Sequence, residues 1–450
     1  MSQVLDTSLQ VKITNRQILQ IALPISVALI IPNINFITNN IFLGGLGERA
    51  LANAGTVGVY YLIMMVSGSG LSNALQALIS RRGGEGSINA IHTLFAQGIR
   101  IALQFALAGM LITWFVAPIC LKPFIKPENF EMEMNFLRIR IWGLPFLYLF
   151  QTGNAFLIGT LNSRYMMIGT IAEALINIFF DYALIYGAFS FPQLGFNGAA
   201  YASVIAEFSG MAIVYLVIFN RGLKNRFNLF SDFSYDKKSS KSILKIAAPL
   251  VLQFAISLIT WLVFFIVLEN YGERAKAISN TMRNVFGILG VFVWAFASTS
   301  NIMVSNLIGQ KLEHTVIGAI KKIMGLSLSA TFVMLLLLNI FGESFFKMFG
   351  QNEAFVHDGI PVLRVISVAM LLMSMGTVWL NAVTGTGNTK MNLLIEFIAI
   401  TMYLAYVYIV MIRLKLSLTV AWVNEFIYWA VILSIAFWYM NSGRWKNKIV

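Results

Sequence analysis

The chain has very little charge. Only 11% of its 450 residues are Asp, Glu, Lys or Arg, against roughly a quarter in an average soluble domain. Hydrophobic residues make up 58% of the chain, and the mean hydropathy is +0.76. A soluble protein of this length could not cover so much apolar surface with 32 basic and 19 acidic side chains. The composition excludes a water-soluble protein and predicts one that crosses a membrane many times.

Cysteine and histidine are also scarce. The single cysteine, Cys120, excludes an internal disulfide, a cysteine-based zinc site and an iron–sulfur cluster. Three scattered histidines, none in the middle of an apolar run, argue against a metal site and against an enzyme embedded in the membrane. No Gly-Lys dipeptide occurs, so there is no Walker A loop for ATP, and no G-x-G-x-x-G motif occurs either. We therefore expect neither an enzyme nor a bound cofactor.

Long apolar runs dominate what remains. Because they are continuous over about 20 residues or more, they predict spanning helices and not strands. Gly and Pro mark the helix ends, and Pro24 and Pro32 predict a hinge in the first helix. The twelve predicted helices are 17–43, 51–79, 90–118, 136–158, 165–188, 198–219, 243–269, 276–306, 315–341, 359–384, 391–412 and 417–440.

The positions of Lys and Arg predict the orientation. With the N-terminus inside, the inner segments hold eighteen basic residues and the outer segments eight. Basic residues are enriched in cytoplasmic loops, so we expect both termini in the cytoplasm. The same bias explains the pI near 9.7, and we expect no nucleic-acid partner.

The most informative pattern is an internal repeat. Four motifs recur in the same order, three of them at one constant offset in numbering and the fourth at an offset longer by a single position. The pairs are Ile21–Pro24 with Ile246–Pro249, Gly47–Ala50 with Gly272–Ala275, Ser80 and Gly84 with Ser305 and Gly309, and Gly159–Arg164 with Gly385–Lys390. One match can arise by chance, but four in register across most of each half indicate a duplication.

The duplication predicts an all-α polytopic membrane protein built from two six-helix lobes. Six helices per half give both lobes the same orientation, which makes this a parallel repeat. The predicted segments are an N-terminal tail (1–16), a first lobe (17–219), a linker (220–242), a second lobe (243–440) and a C-terminal tail (441–450). Two similar lobes favour a transporter, although a duplication can also persist for stability alone.

Several of these motifs resemble one known family. They include Leu78–Gly84 at the end of the second helix, Asn177–Asp181 with Ile185–Gly187, and Leu194–Ala200, together with the repeated segments above. In this order and spacing the chain resembles the multidrug and toxic compound extrusion (MATE) family from Arg16 to about residue 440. The resemblance implies a secondary antiporter that exports amphipathic, often cationic compounds in exchange for Na⁺ or H⁺.

The carboxylates show where coupling to an ion could reside. Fourteen of the nineteen fall in tails, loops or helix ends. The other five lie inside predicted spans and are Glu173, Asp181, Glu207, Glu396 and Glu425. An ionisable side chain at membrane depth costs at least ~2.5 kcal/mol, so each is a candidate for function. The alternative is a carboxylate that holds helices together or stays protonated.

The fifth predicted helix has the clearest polar face. Glu173, Asn177 and Asp181 are spaced by four residues and share one face, in a stripe about 12 Å long. Asn39 lies near the outer end of the first helix, and Ser203 lies just inside the outer end of the sixth. We expect these residues to converge on one cation in the outer half of the first lobe.

The resemblance implies roles for the same residues. In one branch of the family a cation site uses an Asp of helix 1, the Asn and Asp of helix 5 and a hydroxyl of helix 6. Asn177 and Asp181 match that pattern, and Ser203 matches the hydroxyl, but this chain has Asn39 where the family usually has Asp. An Asn can offer an oxygen to Na⁺ but cannot carry a proton. The hypothesis is that Asp181 is the coupling carboxylate, with Glu173 assisting.

Glu207, Glu396 and Glu425 are secondary candidates for coupling. Another branch of the family uses a Glu of helix 7, where this chain has Gln253 and no acid within the span. For the exported compound, two polar stripes could line a central cavity or could instead join helices. Their members are Gln151 and Asn154 on the fourth helix and Thr377 and Asn381 on the tenth.

The leading hypothesis is an exporter of small molecules that works by alternating access, expected as a monomer in a bacterial inner membrane. The nearest alternative is a flippase for a lipid-linked oligosaccharide or related lipid of the same superfamily. Such flippases tend to place several Arg or Lys in the cavity to hold a pyrophosphate, which this chain does not favour.

Overall fold

The computed structural model describes residues 7–123, 125–347 and 353–446. In this part of the chain the only regular secondary structure is helical. Among the described residues, twelve helices are long and apolar enough to cross a membrane, which confirms the predicted number. We number them α1 (Asn15–Gly44), α2 (Glu48–Gly84), α3 (Ile88–Leu121), α4 (Pro127–Gly159), α5 (Ser163–Tyr186), α6 (Phe196–Asn220), α7 (Lys237–Tyr271), α8 (Glu273–Gly309), α9 (Glu313–Ile340), α10 (Glu353–Thr386), α11 (Thr389–Arg413) and α12 (Leu418–Asn441).

The largest difference from the predicted bounds is at α4. This helix begins at Pro127, well before the predicted start at residue 136. Proline is favourable in the first helical turn because the N–H that it lacks would have no partner there. The first half of α4 is rich in Glu and Arg, so hydropathy alone places the start of the helix too late. The extension places Glu133, which lay outside the predicted span, inside a spanning helix, and Glu133 is buried like Asp181, Glu207, Glu396 and Glu425. Glu173 is only partly buried.

The two six-helix lobes repeat the same internal packing. In the first lobe α2 packs against α3 and α4, α3 against α4, and α6 against α4 and α5. In the second lobe α8 packs against α9 and α10, α9 against α10, and α12 against α10 and α11. Each pair in one lobe therefore has its counterpart six helices later, which confirms the internal repeat.

Chain contacts divide the molecule into two compact units. One consists of residues up to Leu9 with Val27–Val251, and the other of Gln10–Ser26 with Leu252–Val450. The lobe bounds predicted from the repeat, 17–219 and 243–440, stay a prediction. α1 continues as a helix through both Pro24 and Pro32, and the predicted hinge at these residues also stays a prediction.

Many large apolar side chains are exposed on the helices, as a bilayer requires. Phe36 on α1, Ile119 on α3 and Ile266 on α7 are each more than 60% exposed. In water these side chains would be costly to leave uncovered, whereas lipid tails solvate them. Beneath this surface the second lobe has a buried apolar core that includes Phe264, Tyr403 and Val407.

Candidate functional site

Asp181 lies on α5, one turn before the helix ends at Tyr186. Its side chain is 0% exposed, and neither carboxylate oxygen has a hydrogen-bond partner in the described part of the chain. Asn177, one turn earlier on the same face, is also buried, and its side-chain nitrogen is without a partner. Buried polar atoms are nearly always hydrogen-bonded, so these two residues offer polar atoms to a proton, an ion or water.

The end of α1 lies against the end of α5. The hydroxyl of Tyr186 donates to the backbone oxygen of Phe42 at 2.6 Å, and the Phe42 and Tyr182 rings are 6.0 Å apart. Asn39 therefore lies about one helical turn from Phe42, which contacts Tyr182, the residue next to Asp181. The side-chain oxygen of Asn39 is buried without a partner, and so is that of Asn35 one turn earlier.

Close approach of α5 and α6 fixes the depth of Ser203. A Cβ on Gly198 would lie 2.6 Å from the backbone oxygen of Leu184, so only glycine permits this contact. Further along, Gly210 meets Glu173, whose Cβ would be 2.9 Å from a Cβ on this glycine. Between these two contacts the antiparallel helices bring Ser203 to the depth of Asn177 and Asp181. Ser203 therefore lies at the level of Asn177 and Asp181, whereas Glu173 lies two turns from Asp181, beside Gly210. Direct participation of either residue stays a prediction.

The internal repeat gives independent support for this cluster. At the offsets of the repeated motifs, the second-lobe counterparts of Asn39, Asn177 and Asp181 are Phe264, Tyr403 and Val407. All three counterparts belong to one buried core cluster. The Phe264 and Tyr403 rings are 6.3 Å apart. Because the two lobes are copies of one repeat, this predicts that Asn39, Asn177 and Asp181 lie near one another in the first lobe.

Glu207 has a different environment from Asp181. Its two oxygens accept hydrogen bonds from both terminal nitrogens of Arg140, each at 2.7 Å. Tyr61 donates to the same carboxylate at 3.0 Å, and the Arg140 guanidinium lies 3.8 Å from the Tyr61 ring centroid. Glu207 is thus fully occupied by a buried bidentate ion pair. Sequence reasoning missed Arg140, and Pro127 at the true start of α4 was the signal that could have placed it at depth.

The two second-lobe candidates also have partners. Glu396 on α11 accepts hydrogen bonds from Gln253 at 3.2 Å, from Ser257 and from Tyr428. Glu425 on α12 accepts from Trp429 at 3.2 Å and more weakly from Tyr403. These donors are neutral, so they can stabilise an ionised carboxylate without binding a cation.

Glu133 on α4 is also a buried carboxylate. It is 2% exposed, and one of its oxygens is without a partner. Among the carboxylates buried in the described spans, Asp181 is the one with both oxygens unpartnered.

The predicted cavity residues make mostly helix-to-helix or local hydrogen bonds. Gln151 donates to Met65 on α2 at 3.4 Å, and its oxygen has no partner. Thr377 and Asn381 each hydrogen-bond to the backbone of their own helix. Asn154 is buried, with its side-chain oxygen unpaired. A role of these residues in binding cargo stays a prediction.

The side chains of the first-lobe cluster are of the type that suits one small cation. Asp181 supplies a full negative charge, and Asn39 and Asn35 supply neutral oxygens, which is the ligand type that hard cations prefer. A proton on Asp181 would also find an acceptor among the same oxygens. In the described residues no group of three or more His, Cys, Asp or Glu side chains could hold a metal ion.

Comparison with known proteins identifies the fold. The family model described as MatE matches the chain twice, over residues 24–183 and 249–409. The chain belongs to the MatE family. The two matches begin at Pro24 and Pro249, the prolines of the first repeated motif, so each lobe is one copy of the MatE unit. Proteins of the MatE family are membrane transporters and not enzymes.

Relatives and solved structures cover nearly the whole MatE chain. It is 24% identical over 97% of its length to the probable multidrug resistance protein NorM of Thermotoga maritima, of which it covers 94%. It shares its fold with a structure described as the outward-facing conformation of a multidrug resistance MATE family transporter of the MOP superfamily, with TM-score 0.88, 17% identity and 98% of each chain covered. A MOP superfamily transporter from Pyrococcus furiosus, described as having a binding pocket of reverse polarity, gives TM-score 0.85 at 18% identity, again with 98% of each chain covered.

Proposed function

We propose that this MatE protein is an antiporter that exports amphipathic, cationic compounds in exchange for Na⁺ or H⁺. The observation that carries the proposal is Asp181, a fully buried carboxylate with both oxygens unpartnered. A charge in this position is costly unless a cation or a proton occupies it. The carboxylate therefore alternates between an occupied and an empty state, which is what coupling to an ion gradient requires.

The neighbouring amide side chains give the site its selectivity for the bound cation. Asn39 and Asn35 present oxygens to the cation, and Asn177 lies one turn from Asp181 on the same face. Because Asn39 cannot release a proton, Asp181 is the sole titrating group of the trio. One inward cation is then exchanged per cycle at this site, and Glu173, Glu207, Glu396 and Glu425 are secondary to Asp181.

The class of exported compound follows from the relatives. The Thermotoga maritima relative is named as a probable multidrug resistance protein, and many Met and Phe side chains suit a cavity that accepts varied apolar cargo. Release of the cation from Asp181 favours binding of cationic cargo, and occupation disfavours it. Pro24 and Pro32 let α1 bend between these states, so that the lobes open alternately to either side.

The flippase alternative lacks support from the buried charges. A flippase for a lipid-linked pyrophosphate needs several uncompensated cations at depth, and Arg140 is not one of them because Glu207 neutralises it. In the described part of the chain this leaves Arg283 on α8 as a single candidate of that kind. The basic-residue bias supports both termini in the cytoplasm of a bacterial cell, with the chain in the inner membrane. We propose a monomer, because each chain carries both lobes.

The test is transport in proteoliposomes with a fluorescent cationic dye. Dye export is driven separately by a Na⁺ gradient and by a pH gradient, in the wild type, Asp181→Asn and Glu396→Gln. We expect one gradient to drive export in the wild type and in Glu396→Gln, and neither to drive it in Asp181→Asn. Full driven export by Asp181→Asn would refute the role of Asp181. Dye movement that no gradient drives in the wild type would refute the antiporter.

A further inference from the structure

A cavity of ≈ 430 Å³ lies where the linker enters α7, within the compact unit that contains α3. It is lined by Tyr235, Lys237, Ser240, Lys241, Leu244 and Lys245. The three lysines are spaced by four residues, so they form one stripe along α7, with steps of about 6 Å. All three are exposed, and in the described part of the chain none of them forms an ion pair.

Side chains of α3 hold the linker and the start of α7 in place beside this cavity. Gln97, which is 1% exposed, donates to the backbone oxygen of Ser234 at 2.8 Å and accepts from the Ser240 hydroxyl at 3.0 Å. Arg100 donates to the backbone oxygen of Phe233 at 2.6 Å, and its guanidinium lies 5.3 Å from the Tyr235 ring centroid. The linker is thus fixed before any ligand arrives, and Arg100 adds a fourth positive charge.

The two nearby carboxylates accept hydrogen bonds in local turns and form no ion pair with the lysines in the described chain, and the basic side chains outnumber them. Asp236 accepts hydrogen bonds from the backbone N–H groups of Lys238 and Ser239 at 3.2 and 3.0 Å, and those from Ser239 lower the pKa of its carboxyl group. Asp232 accepts two hydrogen bonds from Ser234, which likewise lower its pKa. Both carboxylates therefore stay ionised in local turns and leave the lysine stripe positively charged.

The depth of the cavity matches a lipid headgroup. The 35 residues of α7 span about 52 Å at 1.5 Å per residue, longer than the ~40–45 Å of a bilayer with its headgroups. The first turns of α7 therefore lie among or beyond the headgroups. Leu244, which is 40% exposed, and Ala248, also exposed, continue the same side of the helix toward the hydrocarbon.

We propose that this cavity binds an anionic phospholipid, with its phosphate on the lysine stripe and Arg100 and its acyl chains along Leu244 and Ala248. The combination of a cationic rim and an apolar continuation fits a lipid better than a free phosphate, which would need no apolar side. Bound in this way, the lipid ties the linker to the leaflet that it faces. The proposal is independent of the ion coupled at Asp181.

The test is native mass spectrometry of the detergent-purified full chain titrated with phosphatidylglycerol. Lys241→Ala/Lys245→Ala removes two charges of the stripe, and each lysine near an anionic headgroup contributes ~1 kcal/mol. We expect binding to weaken about thirty-fold, the equivalent of ~2 kcal/mol. Lys238→Ala is the matched control, because Lys238 is an exposed lysine in the same helical turn that does not line the cavity.

Two further experiments test whether the site recognises the charge and the lipid. Lys241→Arg/Lys245→Arg keeps both charges and should bind phosphatidylglycerol as the wild type does, which separates charge from folding. Phosphatidylcholine and millimolar inorganic phosphate should not compete for the site. Equal losses in Lys238→Ala and the double alanine variant, or displacement of the lipid by inorganic phosphate, would overturn the proposal.

Discussion

Replacing Glu207 by Gln should destabilise the first lobe strongly. The side chains of Arg140 and Glu207 are only 13% and 6% exposed. The change therefore leaves the Arg140 guanidinium buried and without a charged partner. Breaking a buried ion pair on one side costs ~3–5 kcal/mol, because an uncompensated charge remains. For a unit of about 200 residues, 1 kcal/mol lowers Tm by ~2–4 °C, so Tm should fall by about 6–20 °C.

The assay is thermal unfolding of purified protein in one detergent, followed by tryptophan fluorescence. Arg140→Gln/Glu207→Gln removes both charges and should recover most of the lost stability. Glu85→Gln is the matched control, since it breaks the Arg82–Glu85 pair, which is about one-third exposed, and should cost less than ~1 kcal/mol. The reasoning fails if Glu207→Gln unfolds at the wild-type temperature, or if the double variant is no more stable than the single one.

Three other outcomes can be measured in the same way. Asp181→Asn should leave Tm unchanged or raise it, because no partner is lost and a buried charge is removed; a fall like that of Glu207→Gln would show an unseen partner. Glu396→Gln should lower Tm by a few degrees, because its donors lose a charged acceptor, and a Tm equal to that of the wild type would contradict the three hydrogen bonds. Gly198→Ala should destabilise the protein, whereas Gly318→Ala, with open space around its Cβ, should stabilise it by up to ~1 kcal/mol; the opposite order would refute the close contact of α5 and α6.

The number of helices and their duplication could be predicted because both signals are local. A run of apolar residues predicts a span from its length alone, and motifs repeated in register predict two equivalent lobes. The start of α4 could not be predicted in this way. Its first half carries the charged residues Glu133 and Arg140, which lower the hydropathy although the segment is helical.

The partners of the buried charges depend on tertiary packing. Arg140 and Glu207 are 67 residues apart, and Glu396 meets Gln253 across 143 residues, so neither pairing follows from spacing. The polar face of Asp181 and Asn177 was predictable from the helical period. That both oxygens of Asp181 are unpartnered in the described chain, unlike those of Glu207, Glu396 and Glu425, required the packed structure.

Phe264, Tyr403 and Val407 show the same three positions filled by residues of an apolar core. In the second lobe they form part of a dry core, and in the first lobe Asn39, Asn177 and Asp181 hold unsatisfied polar atoms instead. Under the proposed role of Asp181, the first lobe gives up stability for ion coupling, and comparing the two lobes of one chain measures how much. Exchanging the first-lobe trio for its second-lobe counterparts would give a lobe that is more resistant to unfolding and no longer responsive to an ion gradient.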